Sequence, residues 1–329
     1  MEEVNEMIRV GLIGCGGISR AHADGWNSVK EKAKVVATAD LIPERAKERA
    51  NQLGAEEFYT DYEPLLERED IDAVDICLPH YLHAEATIKA AERGKHVLVE
   101  KPMARNLGEA KEMVQACEKN KVILMVGHCM RFEPENEKAK EIIDSGKLGR
   151  ITLARFQYEV YPGLKDFHYK RGKIGGGGVI SAGIHYVDLM RWLVGDVERV
   201  SLFSNSFVRG LEGEDTAVLS LEFQNGAVGV LSFSWATKFG GSLFRIHGSE
   251  GTLAREGGLW LYSEEYPKGL KVEVTPESSF RREISHFVDC IEGSRKPLTS
   301  GRDAYESLKV VIAAYKSLEE GRIIRLSEI

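Results

Sequence analysis

The sequence predicts an α/β domain on a mostly parallel, doubly wound sheet, followed by an α+β domain with a large, mainly antiparallel open sheet. Three observations carry this. Through the first 128 residues, short continuous apolar runs alternate with helical patterns, as expected of strands buried on both faces. From residue 129 the strands become longer and alternate apolar with polar residues, as expected of strands with one wet face. The chain has 329 residues, 43% hydrophobic and 29% charged, enough for two cores of ordinary globular composition. The expected domains are therefore 1–128 and 129–329.

The first half reads as follows. Residues 8–13 form an apolar strand that ends in glycines, and a helix starts near Ile18. Residues 34–39 are a second strand, and 43–53 a helix with proline in its first turn. Phe58-Tyr59 marks a short third strand. Strands at 73–78, 96–99 and 122–126 alternate with helices at 84–93, stopped by Gly94, and 108–119. In the second half, 136–145 is helical. Strands follow at 151–160, 200–207, 217–223 and 227–235. Asn225-Gly226 between the last two predicts a type I′ hairpin. Helices at 181–194, 280–291 and 303–318 complete the domain, the last packing back near the first domain.

Composition excludes several classes. A net charge of −7 argues against a broad nucleic-acid surface. Every apolar run is broken well short of the ~18 residues that a membrane helix needs. The acidic opening, Met1 to Glu6, does not read as a secretory signal. Five scattered cysteines without a Cys-x-x-Cys predict reduced thiols in a cytoplasmic protein, with no disulfide framework and no metal site. Neither a Gly-x-Ser-x-Gly nor a Walker A motif occurs.

Chemistry concentrates at three places. Gly14-Cys15-Gly16-Gly17-Ile18-Ser19 joins a strand to a helix. Gly14 allows the tight turn, Gly16 lets backbone approach a pyrophosphate, and the helix start offers free N–H groups. Ser19 is small enough for the third position of this dinucleotide fingerprint. Asp40 ends the second strand, 26 residues after Gly14, where a carboxylate accepts from ribose hydroxyls and repels a 2′-phosphate. That favours NAD over NADP, with Arg45 as the residue that keeps NADP as a minority reading. The first domain thus reads as a Rossmann dinucleotide-binding domain.

The second place is Glu100-Lys101-Pro102, at the carboxyl end of a parallel strand, where ligands of open α/β sheets bind. Lys101 is positioned to donate to a substrate hydroxyl, with Pro102 holding the turn, through a cis bond if one forms. The third is Ser181, His185 and Asp188, whose spacing places them on one helix face. A polar stripe on an apolar helix needs partners or a task, and His185 has the ordinary titration range of a general base. Gly175–Gly178, just before, would let backbone approach a ligand. His80 and His83 follow the Pro79 turn after a sheet strand and so face the cofactor crevice, with capping or orienting the next helix as the alternative for His83. His22 falls in the first helix and reads as structural. His128 has no Cys or His at metal spacing beyond Cys129.

With these residues in place, the chain resembles the Gfo/Idh/MocA oxidoreductases along nearly its whole length. The resemblance rests on residues 10–16, Pro79 to His83, residues 94–102, Arg131-Phe132 with Pro134, Gly176–Gly178, Gly183-Ile184-His185, Asp188, Trp192-Leu193 and residues 300–304. It implies a Rossmann domain followed by an open sheet that carries substrate contacts and mediates homodimers or homotetramers. It implies NAD held by the Gly14–Gly17 loop, Asp40, the Leu78–His83 loop and Glu100. It also implies that Lys101 contacts the reacting hydroxyl and that His185 transfers its proton. One departure stands out. Many dehydrogenases of this family carry Asp four residues before the His, where this chain has Ser181, so a charge partner must come from elsewhere.

The expected activity is NAD-dependent oxidation of a secondary alcohol on a sugar, sugar acid, nucleotide sugar or cyclitol. Arg131, Tyr158, His168, Arg171 and Lys238 are further candidates for substrate contact, with Ser181 relaying to His185. The alternatives are a glycosidase that retains its NAD and a cofactor-sensing regulator without turnover. Regulators of this kind tend to lose the Lys and His, and both are present here.

Overall fold

The computed structural model describes residues 7–329. The acidic opening on which the secretory-signal argument rests lies outside the described residues.

In chain order, the first elements are β1 (Ile8–Ile13), α1 (Ser19–Ser28), β2 (Ala33–Ala39), α2 (Pro43–Leu53), β3 (Glu57–Tyr59), α3 (Glu63–Leu66) and β4 (Ala73–Ile76). Next come α4 (His83–Glu92), β5 (His96–Glu100), α5 (Leu107–Lys119), β6 (Leu124–Gly127), α6 (Pro134–Asp144), β7 (Ile151–Glu159), the short α7 (Arg171–Ile174) and α8 (Ile184–Val194). The chain continues with β8 (Val197–Asn205), β9 (Thr216–Phe223), β10 (Val228–Ser234), β11 (Ser242–Gly248), β12 (Gly251–Arg255), β13 (Leu259–Ser263) and β14 (Leu270–Val272). It closes with α9 (Ser279–Ile291), α10 (Gly301–Glu320) and β15 (Ile324–Arg325).

The chain forms two compact units. The first holds residues up to 132 together with 277–305. Its six strands lie in the order β3-β2-β1-β4-β5-β6, all parallel. The order reverses between β1 and β4, which creates the crevice that nucleotides occupy in such sheets. Val10, Leu12, Leu98 and Met125 on the strands share one core with Trp26 of α1 and Ile284, Phe287 and Val288 of α9. This corrects the expected boundary, because 277–305 does not belong with the second half. The amphipathic α9 finds its apolar partner in α1, where Gly25 lets the Phe280 carbonyl and the Ile284 side chain come close. Each such fully buried side chain is worth about 1.5–3 kcal/mol relative to exposure.

The second unit holds 133–276 and 306–329. Its nine strands run β14-β13-β12-β11-β7-β10-β9-β8-β15. All pairs are antiparallel except β7 with β10. Strands β11 to β14 were not read in the sequence, although β11 alternates properly, with Phe244 and Ile246 buried and Phe244 stacked on Phe156 at 5.1 Å. The β9–β10 hairpin forms where expected, but its turn is not type I′. Gly226 has φ +85°, while Lys121 is the sole non-glycine at positive φ among the described residues. Asn225 is instead held by its side chain, which donates to the Val194 carbonyl at 2.7 Å and accepts the Ala227 N–H at 3.0 Å.

Candidate functional site

The glycine loop leaves β1 at the reversal of strand order. Gly14 has φ +92°, and a Cβ there would lie 2.6 Å from the Cys77 carbonyl oxygen, so no side chain fits. At Gly16 and Gly17 a Cβ would meet no protein atom within 4 Å, which leaves the outer side of the loop open as a cradle. Ile18 precedes α1 without any side-chain cap, so the first N–H groups of the helix have no side-chain acceptor. Ser19 donates to the Gly16 carbonyl at 2.7 Å and accepts from Arg49 Nε at 3.1 Å, which secures the loop from below. These features fit a dinucleotide pyrophosphate.

Asp40 sits just past β2. Its Oδ2 accepts the Cys15 N–H and its Oδ1 the Ile42 N–H, both at 2.8 Å. The carboxylate therefore holds the glycine loop at the end of β2. Arg45 is exposed on α2. The Cys15 thiol is buried, and burial first and Asp40 second push its pKa up to about 12, so it acts as a small neutral group in the loop.

Two strands from β1 in the sheet, Glu100 ends β5 and Lys101 follows, half-buried, with a cis Lys101–Pro102 bond. His83 is fully buried and bridges two loops of this rim. Its Nδ1 lies 2.8 Å from the Pro102 carbonyl oxygen and its Nε2 2.7 Å from that of Leu78. The His80 ring is buried 5.8 Å away. The Leu78–His83 segment, Pro79 included, is thus tied to the turn that carries Lys101. Arg131, expected to read substrate, is 3% exposed. Its guanidinium engages the Leu298 carbonyl at 3.2 Å and Asp303 at 2.5 Å, so it is committed to packing of the first unit.

In the second unit, Ser181 and His185 do not share one regular helix. Val179–Gly183 forms a π-helical turn, and α8 begins at Ile184. The extra residue per turn rotates Ser181 relative to the expected stripe, a distortion common at functional sites. Ser181 is buried and His185 half-buried. Asp188 is anchored: its Oδ1 accepts from Ser307 Oγ at 2.8 Å, and that oxygen accepts from Arg191 Nη1 at 2.8 Å.

The glycine run before this turn serves the protein itself rather than standing open for a ligand. A Cβ at Gly176, Gly177 or Gly178 would overlap Tyr315, Glu214 and Phe233 respectively. Glu214 and Tyr315 had no local signal in the sequence. Their roles arise only when α10 and the approach to β9 meet this run.

Of the other candidates, Tyr158 stacks on Tyr186 at 4.9 Å, and Tyr186 shares a 2.7 Å hydrogen bond with Ser242 Oγ. His168 stacks on Phe167 at 4.0 Å and meets Trp235 edge-on at 5.8 Å. Arg171 is exposed and pairs with Glu319 at 3.3 Å. Lys238 Nζ lies 5.5 Å from the Tyr161 ring centre. Lys101 belongs to the first unit and His185 to the second. Among the described residues no helix is long and apolar enough to cross a membrane.

Comparison with known proteins agrees with this geometry. A family described as an oxidoreductase family with an NAD-binding Rossmann fold matches residues 8–128, and the GFO/IDH/MocA C-terminal domain matches residues 136–254. The chain is 31% identical to myo-inositol 2-dehydrogenase of Thermotoga maritima, over 98% of this chain and 99% of that one. It is 30% identical to scyllo-inositol 2-dehydrogenase (NAD(+)) of Bacillus subtilis, over 98% and 97%. Among solved structures, an oxidoreductase from Agrobacterium radiobacter in complex with NAD+, L-tartaric acid and magnesium superposes with a TM-score of 0.89 at 26% identity, covering 98% and 99% of the two chains. The WlbA dehydrogenase of Bordetella pertussis, in complex with NADH and UDP-GlcNAcA, superposes at 0.87 with 27% identity, covering 97% of each. Motif, fold and matched length agree, and the chain belongs to the Gfo/Idh/MocA family of oxidoreductases with an NAD-binding Rossmann domain.

Proposed function

We propose that the protein oxidises a secondary alcohol of a sugar, sugar acid, nucleotide sugar or cyclitol with NAD. The observation that carries this reading is Lys101 at the carboxyl end of β5, in a parallel sheet whose strand order reverses beside the open Gly14–Gly17 cradle. Bound NAD supplies the hydride acceptor. Gly14, Cys15, Gly16, Gly17 and Ile18 would hold its pyrophosphate, Asp40 its adenosine ribose, and Leu78, Pro79, His80 and Glu100 its nicotinamide half, with buried His83 bracing that rim from beneath. Lys101, as ammonium, donates to the substrate hydroxyl and lowers its pKa. His185 takes the hydroxyl proton, directly or through Ser181. General acid–base help of this kind is worth about 10²–10⁴-fold. Tyr158, His168 and Arg171 contribute substrate contacts.

A homodimer or homotetramer in the cytoplasm completes the proposal. Phe203 and Val218 are cross-strand neighbours on β8 and β9, and they are 72% and 40% exposed. Such an apolar sheet face is better covered by a second copy than left to water.

The test is NADH formation at 340 nm with NAD and a panel of polyols, hexoses, sugar acids and UDP-sugars, with NADP run in parallel. Turnover on one class with NAD is expected. Silence on every class, with NAD shown to bind, overturns the reading.

A further inference from the structure

The Glu100–Lys101 junction is held from inside the first unit by a row of buried polar groups that the proposed reaction does not use. Trp26 Nε1–H donates to Asp75 Oδ2 at 2.7 Å. The same oxygen lies 2.9 Å from His22 Nδ1, and Oδ1 of Asp75 lies 3.1 Å from it. At the far edge of the ring, His22 Nε2 lies 3.0 Å from Glu100 Oε1. The other Glu100 oxygen, Oε2, accepts the backbone N–H of Lys101 at 3.2 Å. His22 and Asp75 are 0% exposed and Glu100 is 6% exposed.

An imidazole with a carboxylate at each nitrogen has to donate at both. A neutral ring donates at one only, and would set its lone pair against a carboxylate oxygen at the other. The geometry therefore calls for the doubly protonated ring. Burial works against that charge, and the Asp75 carboxylate outweighs burial. Three further side chains lie near the ring. Cys77 Sγ lies 3.7 Å from Asp75 Oδ1 and is kept a neutral thiol by burial. The Phe280 ring lies 5.3 Å from the His22 ring. Glu283 of α9 is fully buried with neither carboxyl oxygen hydrogen-bonded, and burial holds its carboxyl well above the usual carboxylate range. Gly127 on β6 leaves the space for Glu100, since a Cβ there would come within 3.3 Å of Oε1.

We propose that His22, as a charged imidazolium, is a positioning residue for Lys101: it ties Glu100 to Asp75 on β4 and so fixes the backbone from which the lysine projects. This rests on the reading of Lys101 as the group that holds the substrate hydroxyl. Three links in series, the first two between fully or nearly buried groups, leave the β5 terminus little freedom to shift. A displacement of about 1 Å at a reacting group costs roughly 100-fold in turnover.

The experiment uses the full chain labelled with ¹⁵N-histidine and long-range ¹H–¹⁵N correlation from pH 6 to 9. The His22 signals are identified by their loss in His22→Gln. Both ring nitrogens are expected to be protonated throughout, and a neutral ring at pH 7 overturns the proposal. In the same preparations, His22→Gln is expected to lower kcat about 100-fold with NAD affinity unchanged. A merely structural role would lower Tm and leave the kcat of the folded enzyme intact, which also overturns it. If His22→Gln does not fold, Asp75→Asn removes the facing charge while keeping its shape. There the His22 ring, followed as the signal that moves, is expected to become neutral at pH 8 as kcat falls, and normal kcat with a neutral ring overturns the proposal. Lys101→Ala is measured alongside. If it keeps full turnover, the reading of Lys101 fails and the proposal with it. If it is inactive while His22→Gln is normal, only the proposal fails.

Discussion

The Tyr315 hydroxyl donates to Glu214 Oε1 at 2.8 Å and accepts the backbone N–H groups of Gly177 and Ile180, each at 3.2 Å. Glu214 Oε1 also accepts the Val179 N–H at 2.8 Å. One phenol and one carboxyl thus satisfy three backbone donors at the entry to the π-helical turn that carries Ser181. Tyr315→Phe keeps the ring but removes the acceptor of the Gly177 and Ile180 N–H groups and the donor to Glu214. It should cost about 1–3 kcal/mol of stability, read as a lower urea midpoint. Tyr305→Phe, which leaves this cluster untouched, should not reproduce the loss.

The His83 imidazole faces two carbonyl oxygens, and each asks for a donor. Burial holds its pKa below the usual imidazole value although both carbonyls pull the other way, so the neutral ring donates to one oxygen and packs against the other. His83→Ala should release the Leu78 segment and the Lys101 turn together. The expected result is a raised KM for NAD with a lowered kcat, about tenfold or more in kcat/KM, which corresponds to about 1.4 kcal/mol. A change in kcat alone, with NAD affinity intact by direct titration, would show that the two loops are not coupled through this ring.

Asp40→Asn removes the charge that opposes a 2′-phosphate while keeping an acceptor for the Cys15 N–H. Wild-type enzyme should prefer NAD. The variant should narrow the ratio of kcat/KM values for NAD and NADP by about tenfold, chiefly through better use of NADP. Steady-state kinetics with both cofactors on one substrate decide the matter.

Two buried groups of the first unit give stability the same pH slope. The His22 pKa is raised well above 6.5, since the Asp75 carboxylate outweighs burial, and that of Glu283 is raised well above 4.5 by burial. A raised folded-state pKa stabilises fully below the unfolded value and loses that contribution as pH rises through the folded one. Unfolding free energy should therefore be greater at pH 6.5 than at pH 9. Urea titrations at the two values test this, and Glu283→Gln should flatten the slope because it no longer titrates.

Much of the molecule was legible from local features. Apolar runs and helical periods located the strands and helices of the parallel sheet. Gly14, Asp40 and Lys101 announced a nucleotide crevice because tight turns and strand ends impose their residue types within a few positions. What the tertiary structure alone decided lies in long-range partners. His22 meets Glu100 across 78 positions, and Tyr315 meets Glu214 across 101. Segment 277–305 returns to the first unit because the apolar face of α9 is complementary to α1. Arg131 looked available as a substrate contact until Leu298 and Asp303 arrived beside it. Periodicity and turn chemistry are properties of neighbouring residues, whereas the partner of a buried charge is set by which distant segment the packed core brings within hydrogen-bond reach.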